Sequence, residues 1–167
     1  MALLTRIFGR HQSPEAAERP ARRVVVTAST LAEAAEGLRA SGVKGHEGIV
    51  YFTGIVGRDT TLAISAVAPA VTATRGSVDV GYDGMATVVR AAARDGLQVV
   101  GQLHTHPTTA FHSDGDLRGM RIRYDGYFSI VAPGYGRDLP SLADADALMW
   151  SGGRFVAPSG LHVLGSL

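Results

Sequence analysis

The 167-residue chain contains no cysteine, only one lysine, and no hydrophobic run long enough for a membrane-spanning helix. Without cysteine there can be no disulfide, thiolate metal ligand or cysteine nucleophile, so a metal ion would have to be held by histidine and carboxylates. A strong excess of one charge is also missing, because 16 basic and 15 acidic residues give a formal net charge of +1. We therefore expect a cytoplasmic protein with neither nucleic acid nor membrane as a partner.

The length and composition predict one folded domain preceded by an arm. The chain is 46% hydrophobic and 19% charged, which suits a globular protein with a single core. Residues 1–22 include Pro14 and Pro20 and show no clear hydrophobic period. They are predicted to form a flexible N-terminal arm, and residues 23–167 to form the functional domain.

Hydrophobic patterns and turn residues predict the order of the elements. Strands are expected at 24–26, 49–56, 62–67, 97–103 and 128–132, followed by a hairpin of strands 147–150 and 154–157. Helices are expected at 30–41, 83–95 and 113–124, the first with a capping box of Thr30 and Glu33. Residues 69–81 and 133–140 are expected to be loops. This order predicts a mixed α/β (α+β) fold, with a central mixed sheet flanked by helices.

A short segment after the fourth predicted strand concentrates groups that bind metal ions. It contains His104 and His106, and Ser113 and Asp116 follow within ten residues. Imidazoles two positions apart on a strand point to the same face, so one divalent ion could bind both. Asp116 could serve as a third ligand, and three protein ligands with an open fourth position are typical of catalytic zinc. The segment predicts a metallohydrolase.

Two further residues are candidates for roles in catalysis. Glu47 opens an apolar strand, where an isolated carboxylate is costly to bury, and it could take a proton from a metal-activated water and pass it to a leaving amine. The alternative for Glu47 is an exposed acid at the start of a strand. Ser113 could steady that water or an oxyanion, or simply cap a helix. Asp116 could likewise be a capping residue that favours the helix dipole.

Together these residues resemble the signature of the JAMM (MPN+) family: a Glu on an early strand, then His-x-His-Pro, a short loop and Ser-x-x-Asp. The matching segments are GHEGIVYFTG and GQLHTHPTTAFHSDGD, and the resemblance covers roughly residues 22–157. One departure is a loop of five residues between Pro107 and Ser113, where six is the commonest spacing. We retain Asp116 as the ligand, since shortening a loop by one residue changes its closure entropy little, with Asp114 as the alternative.

The resemblance implies the fold, the cofactor and the reaction. It implies an MPN/JAB-type mixed sheet, partly barrel-like, one Zn²⁺ per chain held by His104, His106 and Asp116, and Glu47 as the general acid/base. The expected activity is that of a bacterial zinc-dependent (iso)peptidase, which uses zinc-activated water to cut after the C-terminal glycine of a ubiquitin-like protein, for deconjugation or maturation. The alternatives are a peptidase that processes a sulfur-carrier protein and a non-catalytic MPN scaffold.

Other polar and aromatic residues near the motif receive structural interpretations. His112 is interpreted as a loop residue in preference to a support for the site. Arg118, Arg121 and Arg123 are expected to form a solvated helix face, with contact to an acidic partner surface as the alternative. Trp150 is expected to pack within the C-terminal hairpin.

Overall fold

A computed structural model of the chain describes residues 22–165, and the predicted arm at 1–22 lies almost entirely outside them. The strands are β1 (Arg23–Thr27), β2 (Ile49–Val56), β3 (Thr60–Val67), β4 (Thr72–Thr74), β5 (Ser77–Asp79), β6 (Gln98–Thr105), β7 (Phe128–Ala132), β8 (Asp146–Ser151), β9 (Arg154–Val156) and β10 (Gly160–Leu164). The helices are α1 (Ala28–Val43), α2 (Tyr82–Arg94) and α3 (Asp114–Gly119), and a single 3₁₀ turn spans Gly134–Gly136.

Eight of these strands form one curled, mixed sheet in the order β10-β1-β3-β2-β6-β7-β8-β9. Strand β1 is parallel to both of its neighbours and β6 is parallel to β7, while the remaining pairs are antiparallel. The prediction of a mixed α/β fold is confirmed. Strands β10 and β9 are the two edges, so hydrogen bonds do not close this sheet into a barrel. Strands β4 and β5 form a separate two-stranded sheet.

The sheet is buried between helices because its central strands are apolar on both faces. Successive side chains of a strand point to opposite faces, and in β2 the side chains of Val50 and Phe52 join the core beneath α1. Tyr51, between them, packs with Val80 and with Val88 of α2 on the other face. The two helices therefore cover opposite faces of the same sheet.

Close packing fixes β6 against β7 at the centre of the sheet. A Cβ atom added to Gly101 of β6 would lie 2.7 Å from ring atoms of Phe128 on β7. The ring of Phe128 in turn stacks on Phe52, with a centroid separation of 5.5 Å. Because β6 and β7 are parallel, the chain needs a long connection between them, and residues 106–127 supply it.

The first helix begins earlier than predicted, and its predicted capping box is wrong. Helix α1 starts at Ala28 because the Thr27 side chain accepts a hydrogen bond from the backbone N–H of Thr30. The Glu33 carboxylate does not return to the helix start. It accepts hydrogen bonds from Ser65 and from the backbone N–H of Ala66 on β3 instead, so a tertiary contact replaces the local one.

Three other features of the secondary structure differ from the sequence expectation. The predicted loop 69–81 contains the β4–β5 hairpin, and β10, which pairs with β1, was not predicted at all. Helix α3 ends at Gly119 and not near 124, because Met120 has an extended backbone. The C-terminal hairpin is confirmed, and both of its glycines, Gly152 and Gly153, have the positive φ angles that favour glycine in such turns.

None of the helices within residues 22–165 has both the length and the hydropathy that crossing a bilayer would require.

Candidate metal centre

The carboxyl end of β6 is held on both sides by its neighbours. His104 lies opposite Ile49 of β2 and opposite Val131 of β7. His106 directly follows the strand, and its backbone N–H donates to the carbonyl of Ala132 at 2.9 Å. Both histidines are therefore placed by regular sheet hydrogen bonds, as the two-residue spacing predicts, and their side chains leave the sheet on one side.

Three side chains that the sequence analysis selected as metal ligands converge at this end of the strand. One oxygen of Asp116 lies 3.4 Å from His104 Nε2, and the other lies 3.4 Å from His106 Nε2. One ligand atom from each of the three residues can be chosen so that all lie within 4.8 Å of one another. In a tetrahedral zinc site with bonds of about 2.0–2.1 Å, neighbouring ligand atoms are roughly 3.3 Å apart, which is close to the two distances between an imidazole and the carboxylate.

The environment of His104 provides a second test of whether a metal ion fits. The residue is only 3% exposed, and apart from the 3.4 Å contact of Nε2 with Asp116, neither ring nitrogen has a hydrogen-bond partner among the residues that the structure describes. Leaving a buried polar group unpaired costs about 1–3 kcal/mol. An ion bound through Nε2 would supply the missing partner for one nitrogen, so this donor set fits a divalent metal.

The protonation states at the site also suit metal binding. Burial lowers the pKa of the His106 imidazole, and the neighbouring His104 lowers it further. A neutral imidazole has a free lone pair for a metal ion. Burial alone would raise the pKa of the Asp116 carboxyl, but His104 and the hydrogen bonds from Ser113 outweigh it and hold that pKa well below its ordinary value. These shifts favour a neutral His106 imidazole and an ionised Asp116 carboxylate.

Ser113 orients Asp116 through a capping box at the start of α3. The Ser113 hydroxyl and backbone N–H each donate to Asp116 Oδ2 at 2.7 Å, and the backbone N–H of Asp116 donates back to Ser113 Oγ. The capping roles considered for both residues are therefore present, and they hold the carboxylate toward the imidazoles. Asp114, the alternative ligand, is exposed at the first position of α3.

Glu47 is brought to the same site by the segment before β2. The backbone of Gly48 exchanges two hydrogen bonds with Thr105, which stands between the two histidines. Glu47 itself is only 6% exposed, so it is not the exposed acid that the sequence left as an alternative. Burial raises the pKa of its carboxyl, an effect that His104 opposes and Asp116 reinforces. A carboxyl pKa closer to neutrality suits proton transfer.

Two open cavities meet at the candidate metal centre. The first, of about 480 Å³, is lined by Glu47, His106 and Ser113, and we call it the glutamate cavity. The second, of about 320 Å³, is lined by His104, Arg118 and Arg121, and we call it the arginine cavity. Both include Asp116 and Val78 in their walls, so the glutamate cavity reaches His106 and Asp116, and the arginine cavity reaches His104 and Asp116.

The three arginines that follow Asp116 do not form one solvated face. The guanidinium of Arg123 donates to the carbonyls of Met120 and Leu117 and lies 5.5 Å from the ring of Trp150. Arg118 and Arg121 line the arginine cavity instead. The sequence placed all three on one helix, and the early end of α3 at Gly119 explains the difference. The Trp150 ring packs on Phe155 across the hairpin, as expected.

His112 is the residue that the sequence analysis misjudged. Its side chain is only 2% exposed. Its Nδ1 lies 2.6 Å from the Asp146 carboxylate, and its Nε2 lies 2.9 Å from the hydroxyl of Ser129. The ring also meets that of His104 edge-on, with centroids 6.0 Å apart. His112 therefore ties the loop that carries Ser113 to strands β7 and β8, immediately behind the candidate ligands.

Comparisons with known proteins support a metalloprotease relationship without showing a family. No family model matches the chain. The protein described as "Probable metalloprotease y4jG" from Sinorhizobium fredii is 29% identical over 110 residues, which cover 60% of this chain and 65% of that relative. The solution structure of protein DSY2949 from Desulfitobacterium hafniense has a similar fold, with a TM-score of 0.65 at 13% identity, over 86% of this chain and 94% of that one.

The buried contacts of His112 predict that its replacement destabilises the fold. In His112→Leu the Ser129 hydroxyl, which is fully buried, loses its partner, so the free energy of unfolding should fall by about 1–3 kcal/mol. The matched control is His162→Leu, because His162 is exposed on β10; it should change stability by less than about 0.5 kcal/mol. Equal stability of the two variants in urea denaturation would show that the His112 contacts contribute nothing.

Proposed function

We propose that this chain is a zinc-dependent metallopeptidase of the JAMM type, with His104, His106 and Asp116 as its metal ligands. The observation that carries the proposal is the convergence of two buried imidazoles on one carboxylate, with each Nε2 atom 3.4 Å from an oxygen of Asp116 and one ligand atom of each residue within 4.8 Å of the others. The relative described as a probable metalloprotease supports the same reaction class. A non-catalytic scaffold role is less well supported, because a scaffold has no need of a complete donor set beside a buried glutamate.

In the proposed reaction, the metal ion and the protein have different roles. When bound, zinc polarises the scissile carbonyl and makes a water nucleophilic near neutral pH. The Glu47 carboxylate accepts a proton from the attacking water as its oxygen bonds to the carbonyl carbon. The same carboxyl then donates a proton to the leaving nitrogen as the carbon–nitrogen bond breaks. Glu47 lines the wall of the glutamate cavity, where a substrate could contact it.

Ser113 has a positioning role and a proposed catalytic one. Its hydroxyl hydrogen is donated to Asp116 Oδ2, so in this state it fixes the orientation of that carboxylate. The catalytic role expected from the sequence, donation to an oxyanion, requires the hydroxyl to rotate away from Asp116. Both roles depend on the N-terminal position of Ser113 in α3.

For the substrate we propose a ubiquitin-like protein whose C-terminal tail ends in glycine, cut for deconjugation or maturation in the cytoplasm. An extended tail could pair with a free strand edge and place its last carbonyl at the metal centre. The β4–β5 hairpin supports this, since Gly76, Ser77 and Val78 line the glutamate cavity. A sulfur-carrier protein with a similar tail is the second candidate, because it requires the same site.

Metal analysis tests the ligand set. The purified protein should hold about one zinc per chain, as expected of a three-ligand catalytic site, and His106→Ala should lose it. Asp116→Ala should also lose zinc, whereas the matched variant Asp114→Ala should keep it, because Asp114 is exposed outside the cluster. The ligand assignment is wrong if Asp114→Ala loses zinc while Asp116→Ala retains it in elemental analysis.

Replacing Glu47 should separate catalysis from metal binding. Glu47→Gln should keep both zinc and fold but lose peptide hydrolysis by on the order of a hundredfold or more, as expected for a general acid/base. Chelation should abolish hydrolysis in the wild type, while thiol alkylation should not affect it, since the chain has no cysteine. Near-normal turnover by zinc-loaded Glu47→Gln would rule out the assigned role.

Cleavage of paired substrates tests the proposed specificity. A ubiquitin-like protein encoded in the same genome would be prepared with either Gly or Leu before the cut. The Gly form should be cut at that bond, and the Leu form should be cut poorly. The Leu side chain would hinder binding of an extended tail along a strand edge beside the metal centre. Mass spectrometry locates the product. Equal cleavage of both forms, or cleavage of unstructured peptides alone, would refute this substrate while leaving the metallopeptidase proposal intact.

A further inference from the structure

The arginine cavity places two positive charges beside the candidate metal centre. Its volume is about 320 Å³, and its walls include His104 and Asp116 as well as Arg118 and Arg121. Arg118 is in the last turn of α3, and Arg121 lies just beyond that helix. The same short segment therefore supplies a candidate metal ligand and two guanidinium groups to one cavity.

These two arginines form no hydrogen bond or ion pair within the described part of the chain, residues 22–165, and Arg121 acts on Tyr51 only through its charge. The neighbouring Arg123 provides the contrast, because its guanidinium is used to bind backbone carbonyls and to cover Trp150. Arg118 and Arg121 thus retain their hydrogen-bond donors for a ligand.

The arginine cavity lies next to the glutamate cavity at the candidate metal centre. The glutamate and arginine cavities share Val78, Gly115 and Asp116. His106 faces the first cavity and His104 the second. A peptide whose scissile bond lies at the metal centre would extend into both cavities, with one side of the bond toward Glu47 and the other toward the arginines.

We propose that Arg118 and Arg121 form a subsite for a carboxylate group of the substrate, close to the scissile bond on the side of His104. This inference rests on the proposed function, which supplies the scissile bond. It adds the chemical class of the substrate group that binds beside that bond. The carboxylate can come from an acidic side chain or from a free C-terminus, and both present the same planar anion to the guanidinium groups.

The apolar wall of the arginine cavity favours a carboxylate carried by an amino-acid residue over a free phosphate. Guanidinium groups bind both anions, often through two parallel hydrogen bonds. Asp79 also lines the cavity, and Asp116 forms its boundary with the metal centre. The apolar wall formed by Ile49, Met85 and Ile122 suits the aliphatic part of an amino-acid residue.

The test measures binding directly, without turnover. The zinc-loaded Glu47→Gln protein would be titrated with the peptide acetyl-Ala-Gly-Gly-Xaa-Ala-amide, with Xaa either Glu or the matched uncharged Gln. A second pair, acetyl-Ala-Gly-Gly-Ala with a free or an amidated C-terminus, separates the two sources of the carboxylate. Calorimetry or NMR chemical shifts give the dissociation constants. Arg118→Gln and Arg121→Gln are combined with Glu47→Gln, and Arg58→Gln is the control, since Arg58 is exposed in the turn between β2 and β3.

In at least one pair, the carboxylate form should bind roughly fivefold more tightly than its neutral partner, as expected for partly exposed ion pairs with two guanidinium groups. Each single arginine variant should reduce that ratio, the double variant should bring it close to one, and Arg58→Gln should leave it unchanged. The ratio should also fall with added salt. No preference in either pair, or a preference that survives in the double variant, overturns the subsite.

The result can be distinguished from a failure of the proposed function. If wild-type protein with zinc cleaves no peptide bond while the arginine-dependent preference is present, the peptidase proposal fails, and Arg118 and Arg121 still form a carboxylate-binding site but not one beside a scissile bond. If the wild-type protein cleaves the Glu and Gln peptides with equal efficiency, and binding shows no arginine-dependent preference, the peptidase proposal stands and the subsite fails.

Discussion

The hydrogen bonds that hold the carboxyl end of β6 between β2 and β7 position every group of the candidate site. Pairing with β2 places Gly48 against Thr105, and so brings Glu47 beside the histidines. Pairing with β7 continues past the strand to the backbone of His106. Because β6 and β7 are parallel, the connection between them must travel back along the sheet. That connection contains the capping box that orients Asp116.

The same arrangement is costly without a metal ion. His104 is buried, and neither of its ring nitrogens makes a hydrogen bond among the described residues, although Nε2 lies 3.4 Å from Asp116. Each unpaired buried group costs about 1–3 kcal/mol. Contacts behind the site offset this cost, above all those of His112 with Asp146 and Ser129. Binding of the proposed metal ion would then contribute to the folding free energy, as in other proteins with buried donor sets.

Much of the fold and most of the site could be predicted from the sequence, because short-range patterns determine them. Strands β2 and β7 have the predicted bounds, since apolar runs between turn residues depend on local sequence alone. The spacing of His104 and His106 likewise predicts that their side chains share a face. The predictions that were wrong concern features that depend on contacts between residues distant in the sequence. Glu33 binds β3 and not its own helix, and β10 forms only because it can pair with β1.

The role of His112 illustrates the same limit. Nothing in its local sequence indicates burial, because its two partners are 17 and 34 residues away. The sequence also did not indicate that Arg123 has different contacts from Arg118 and Arg121, because that difference follows from the end of α3 at Gly119. The roles of Glu47 and Ser113 in catalysis stay predictions, although the structure places both at the candidate centre.

The most direct test of the account is the position of a metal ion in crystals of the zinc-loaded protein, located by anomalous scattering at the zinc absorption edge. The account predicts one strong peak within about 2.0–2.2 Å of His104 Nε2, His106 Nε2 and an oxygen of Asp116. A peak bound elsewhere, or no peak at these residues at saturating zinc, would contradict it.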